Sequence, residues 1–118
     1  MRRGEVYWTN VSPRSGSEQK GKRPVVVVSH DSFNRTPGWR SIIVVPVSTS
    51  AAQAERGPTA ILLPAGPGGL PRASLALCHQ VTTLDREKLT KRLGLLGPSA
   101  LREICAGLRA AMDLGQEG

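Results

Sequence analysis

The surest signal along the chain is two short runs of β-branched residues. Pro24 to Ser29 (PVVVVS) and Ser41 to Ser48 (SIIVVPVS) are continuously apolar and too short for helices, so each predicts a strand buried on both faces. Proline is tolerated at the first position of the former, while Pro46 predicts that the latter bends or lies at an edge. Glu5 to Val11 alternates more loosely, carries Tyr7 and Trp8, and stops at Ser12-Pro13, which predicts another strand. Ser12 to Arg23 is nearly free of apolar side chains and predicts an exposed basic loop, and Asp31 to Arg40 predicts a second loop. Thr59 to Leu63 predicts a short strand closed by the turn cluster Pro64 to Gly69. Ser74 to Thr83 predicts one or two strands with a kink, and Arg92 to Leu96 a final weak one. The period then changes. After Gly97-Pro98, the residues Leu101, Ile104, Cys105, Leu108, Ala111 and Met112 recur every three or four positions and predict an amphipathic helix interrupted only by Gly107. Five or more short strands before one closing helix give a mainly β, α+β single domain over 1–118: a small, strongly curved sheet or partly open barrel.

Composition narrows the partners. A chain of 118 residues with a formal net charge of +7 favours a polyanion. Up to Gln53 there are eight Lys and Arg against three acids, so the N-terminal half carries most of the positive field. Cys78 and Cys105 form no CxxC pair, and no Cys/His cluster has metal spacing, so no metal or cofactor is expected. Reduced cysteines, no apolar stretch of membrane length and no leader-like run after Arg2-Arg3 place the expected home in the cytoplasm, away from membranes.

Candidate chemistry concentrates at strand ends. Gly16 to Pro24 delivers Arg23 to the mouth of a rigid strand, where its planar fork of donors can meet a phosphate bidentately, as lysine cannot. Lys20, Lys22 and Arg23 fit a solvated charge run equally well. Ser48-Thr49-Ser50 projects hydroxyls from the end of the second buried strand, and if the two strands are neighbours Arg23 and Ser48 converge; the plainer alternative is local bonding that ends a strand. His30 and His79 would suit acid–base work or ordinary packing. Gln80 can read base edges or simply face solvent. Trp8 and Trp39 can stack on bases or fill packing gaps.

Four of these stretches, taken together, resemble the MazF/PemK toxins of bacterial toxin-antitoxin pairs. They are Arg3 to Trp8 (RGEVYW), Gly16 to Gln19 with Arg23 to Val27 (GSEQ and RPVVV), Val45 to Thr49 (VPVST) and Gln80 to Asp85 (QVTTLD), in the family's order. The resemblance implies an SH3-like or CcdB-like barrel, a homodimer, and metal-independent cleavage of single-stranded RNA, held in check by an acidic MazE-like antitoxin. It also implies Arg23 as the catalytic arginine, Ser48 where the family usually has threonine, with Thr49 able to compensate, and RNA contacts from Ser17, Glu18, Gln19, Lys20, Lys22 and Gln80. Gyrase-poisoning toxins of the same fold carry aromatic residues at the extreme C-terminus, which Asp113 to Gly118 lacks. A non-catalytic basic module that binds RNA or an acidic peptide is the other alternative.

Overall fold

Two apolar runs without charged residues bury most of both faces, Ile43 of the second being the exception at 39% exposure, and their neighbours in the fold are arranged around that need. The computed structural model describes residues 1–11, 21–49 and 57–115. Among the described residues seven strands, β1 (Glu5–Val11), β2 (Gly21–Val27), β3 (Ser41–Ser48), β4 (Ala60–Leu63), β5 (Ser74–Leu77), β6 (Thr82–Asp85) and β7 (Leu89–Leu95), form one sheet of order β4-β5-β3-β2-β1-β7. β6 pairs with β3 outside this path, and every pairing is antiparallel. A single turn of helix, α1 (Asp31–Asn34), interrupts the loop before β3, and α2 (Pro98–Met112) closes the described chain.

The β-rich fold with a terminal helix agrees with the sequence, and the manner of closure is new. β3, β2, β1 and β7 are paired in series, β6 lies on the other side of β3, and a three-residue turn, Arg86–Lys88, joins β6 to β7. The ring is therefore completed by a covalent connection, not by a β6–β7 ladder, and the barrel is open along that seam. Its interior holds Val25, Val27, Ile42, Val44 and Leu89, with Met1, Tyr7 and Leu84 packed against them. The outer face of the same strands carries Val6, Val26, Val45 and Val47, roofed by Ile104 of α2 and by Leu63, Ala76 and Cys78 of the β4–β5 arm. Burying each such side chain contributes about 1.5–3 kcal/mol, which is why the Val-rich strands lie at the centre of the sheet.

Several boundaries differ from the sequence pattern for a common reason. β2 begins at Gly21, not Pro24, because Lys22 and Arg23 pair with Asn10 and Thr9 of β1; polar residues enter a strand when a neighbour supplies hydrogen bonds. β7 begins at Leu89, not Arg92, because Leu89 and Lys91 pair with Thr9 and Trp8. Ser74 to Thr83 separates into β5 and β6 around a 3-10 turn at Cys78–Gln80. Pro46 stands between the segment of β3 that pairs with β6, Ser41–Val44, and the segment that pairs with β5, Val47–Ser48. A residue without an N–H suits the point where a strand changes partner. The expected basic loop at 12–20 lies outside the described residues.

Candidate functional site

The site grows out of the β2–β3 register. Val27 pairs with Val44, Val26 with Val45 and Val25 with Pro46, and beyond this last pair β2 runs to Arg23 while β3 runs to Ser48. Both then line one groove of about 460 Å³, together with Trp8, Lys22, Pro24, Val47, Thr49, Pro71, Arg72 and Ser74. The described lining includes three cations, Lys22, Arg23 and Arg72, and no acid. Side-chain alternation puts Arg23 on the face of the barrel interior, with Val25 and Val27, and Ser48 on the matching face of β3. The groove thus lies at the rim of the barrel, where rigid strands end.

Arg23 is the electrostatic centre of this rim. It is half-buried, and its Nε is enclosed with no hydrogen-bond partner among the described residues. Burial pushes its pKa below the usual arginine value, since the charged form gives up hydration there. The neighbouring Thr9, its cross-strand partner, likewise encloses its Oγ1 without a partner among the described residues. An enclosed guanidinium edge without an acceptor carries a desolvation cost that an arriving oxyanion would relieve.

Other candidates separate clearly. His30 sits at the opposite end of β2 and caps α1, its Nδ1 accepting the Ser32 N–H at 2.9 Å. His79 Nδ1 lies 3.0 Å from Thr59 Oγ1, away from the groove lining. Burial pushes the Cys78 thiol up to about 11, with Cys105 adding a smaller push, so Cys78 is an inert packing group. Among the described residues no group of three or more His, Cys, Asp or Glu is placed to hold a metal ion.

A family model described as PemK-like, MazF-like toxin of type II toxin-antitoxin system matches residues 2–112. The chain belongs to this family. Among its relatives, endoribonuclease MazF6 of Mycobacterium tuberculosis is 34% identical over 112 residues, covering 95% of this chain and 96% of the relative. Endoribonuclease EndoA of Bacillus subtilis is 32% identical over 114 residues, covering 97% and 96%. The structure is similar to a chain in a MazE–MazF crystal structure from Deinococcus radiodurans, with a TM-score of 0.74 and 26% identity over 98% of this chain and 97% of the other.

Of the residues that the MazF/PemK resemblance nominates, Arg23, Ser48, Thr49 and Lys22 come together in the groove. Gln80 does not: it is half-buried in the turn between β5 and β6 and lines no part of it. Ser17, Glu18, Gln19 and Lys20 lie outside the described residues. Pro71, Arg72 and Ser74 are groove residues that the sequence pattern does not nominate. They reach the groove only because the segment after the Gly-rich turn leads into β5, which pairs with β3 at Val47 and Ser48. An arginine close to a Pro/Gly-rich turn is the one hint the sequence offers.

Proposed function

We propose that the protein is an endoribonuclease toxin of a toxin-antitoxin pair that cuts single-stranded RNA through the groove at the barrel rim. The enclosed Nε of Arg23, without an acceptor among the described residues and beside Ser48, carries this reading. RNA supplies both the phosphate for that cation and the nucleophile, since each ribose bears a 2′-hydroxyl that DNA lacks. The 2′-oxygen attacks the adjacent phosphorus and gives up its proton to water. The bond from phosphorus to the 5′-oxygen breaks, that oxygen takes up a proton, and the products are a 2′,3′-cyclic phosphate and a 5′-hydroxyl.

Arg23 remains protonated at neutral pH despite the lowering by burial, because its starting value is so high. Its task is therefore to stabilise negative charge gathering on the nonbridging oxygens, and the hydroxyl of Ser48, or of Thr49 beside it, donates to a nonbridging or leaving oxygen. Lys22 and Arg72 hold the flanking backbone, and the 12–20 segment with Ser17, Glu18, Gln19 and Lys20, along with Gln80, contributes further RNA contacts. This chemistry proceeds without a metal or cofactor. A homodimer would carry two such grooves, and an acidic antitoxin would occupy them as a competing polyanion. The reading places the toxin in the cytoplasm; in the described residues no helix is long and apolar enough to cross a membrane.

The test is Arg23→Ala and Arg23→Lys against a long mixed RNA, with sequencing of the 5′-hydroxyl ends. Arg23→Ala abolishes cutting and Arg23→Lys leaves a small residue of it, both with unchanged circular dichroism. Near-full cutting by folded Arg23→Ala would remove the residue from the mechanism.

A further inference from the structure

The two tryptophans have opposite surroundings. Trp39 stacks on Phe33 with ring centroids 4.9 Å apart, and its Nε1 donates to the Ser41 carbonyl at 2.7 Å. Both faces of its chemistry are accounted for by the loop it stabilises. Trp8 lines the groove instead, and its indole N–H has no hydrogen-bond partner among the described residues. A large ring with an unpartnered donor at a cationic groove is equipped to receive a planar, polar ligand.

Register fixes what stands on either side of it. Trp8 pairs with Pro24 on β2 and with Lys91 on β7, and directly opposed residues share a face of the sheet. Pro24, Trp8 and Lys91 therefore form a row across three strands on the outer face of the sheet, with Val6 and Val26, while Arg23 points to the opposite face; the two meet at the rim, where one groove takes in both Trp8 and Arg23. Strands are spaced about 4.8 Å apart, so Lys91 stands roughly 10 Å from β2 at the backbone. Lys91 is exposed and makes no ion pair among the described residues.

We propose that Trp8 is the stacking platform for the base adjoining the phosphate held by Arg23, and that Lys91 receives a phosphate farther along the same strand. The assignment rests on the endoribonuclease reading above. Every nucleobase has a π face, so Trp8 supplies affinity and position for unstacked bases and no choice among them. It also selects for single strands, because a base paired in a duplex cannot lie flat on the indole.

The test uses Trp39→Phe, which leaves Trp8 as the sole tryptophan. The probe is a short RNA that the wild-type protein cuts, bearing 2′-deoxyribose at the scissile nucleotide so that it binds intact. Binding quenches Trp8 fluorescence, and an abasic site at one of the two nucleotides flanking the scissile phosphate removes the quench and weakens binding about 5- to 100-fold. Trp8→Leu weakens the parent probe to the same degree and is indifferent to the abasic site, while Trp8→Phe keeps much of the affinity. Lys91→Gln lowers the slope of log affinity against log salt by about 0.7, the release expected for one single-strand phosphate contact. The proposal is overturned if anisotropy shows binding with no change in Trp8 emission, or if Trp8→Leu and Trp8→Phe bind like the parent. In that event continued cutting of all-ribose RNA by the wild type leaves the endoribonuclease reading standing. Loss of that reading would instead show as no cutting at all.

Discussion

Ser48 and Thr49 are adjacent in the chain, but a strand sends successive side chains to opposite faces, and the groove meets them differently. Ser48 is buried at 6% exposure at the end of β3, on the face that matches Arg23, whereas Thr49 is exposed just past the strand. The geometry favours Ser48 as the hydroxyl that works with Arg23. Ser48→Ala is accordingly expected to slow cutting by roughly 10²- to 10³-fold, the loss for one preorganised donor, and Thr49→Ala by less than about 10-fold. Single-turnover rates on one RNA decide the matter, and the reverse order would move the role to Thr49. From the sequence the two hydroxyls were indistinguishable, because a serine that ends a strand and a serine that faces a phosphate have the same neighbours in the chain.

Gly107 shows how an element can be weakened for the sake of its packing. In an isolated helix a mid-helix glycine costs about 1 kcal/mol relative to alanine. In the fold α2 lies so close to the β4–β5 arm that a Cβ at Gly107 would stand 2.7 Å from Cys78 Sγ and 3.2 Å from Ile61. Both neighbours belong to the packed outer core and have little room to retreat. Gly107→Ala therefore destabilises the protein by about 1–3 kcal/mol despite its better helix propensity, as read from urea unfolding. A stabilised variant would mean that α2 shifts freely on the sheet. The helix itself was plain in the spacing of Leu101, Ile104 and Leu108, but the reason for its glycine was not.

For the whole molecule, acid lability follows from the groups that fasten the N-terminus and the outer strand. Burial opposes ionisation of Glu5, yet Arg92 Nε at 2.7 Å, the Arg2 backbone N–H at 2.8 Å and the Tyr7 hydroxyl at 3.0 Å outweigh it and hold the carboxyl below its ordinary 4.5. Asp31 is held below its ordinary 3.8 by the Arg3 backbone N–H and then by the Asn34 amide. Both carboxyls take up protons more readily in the unfolded chain, so their stabilisation is complete above about pH 4.5 and is lost as pH falls through the folded values. Glu5→Gln costs about 1–3 kcal/mol at neutral pH and flattens the fall in stability on acidification. Thermal unfolding between pH 7 and pH 3 measures both; an unchanged pH profile in Glu5→Gln would dissociate this carboxyl from the acid transition.

The sequence by itself determined the two Val-rich strands, the terminal helix and the basic character of the N-terminal half, since these depend on local periodicity and on charge. It also carried enough of the family pattern to nominate Arg23, Ser48 and Thr49. Tertiary structure alone decided that β2 and β3 are neighbours in a register that brings Arg23 and Ser48 to one rim, that Arg72 joins them from a distant turn, and that Gln80 does not. Only the three-dimensional surroundings distinguish Trp8, lying in the groove, from Trp39, stacked on Phe33. Strand pairing is made between residues far apart in the chain, so which groups meet is set by hydrogen bonds and burial that no local pattern records.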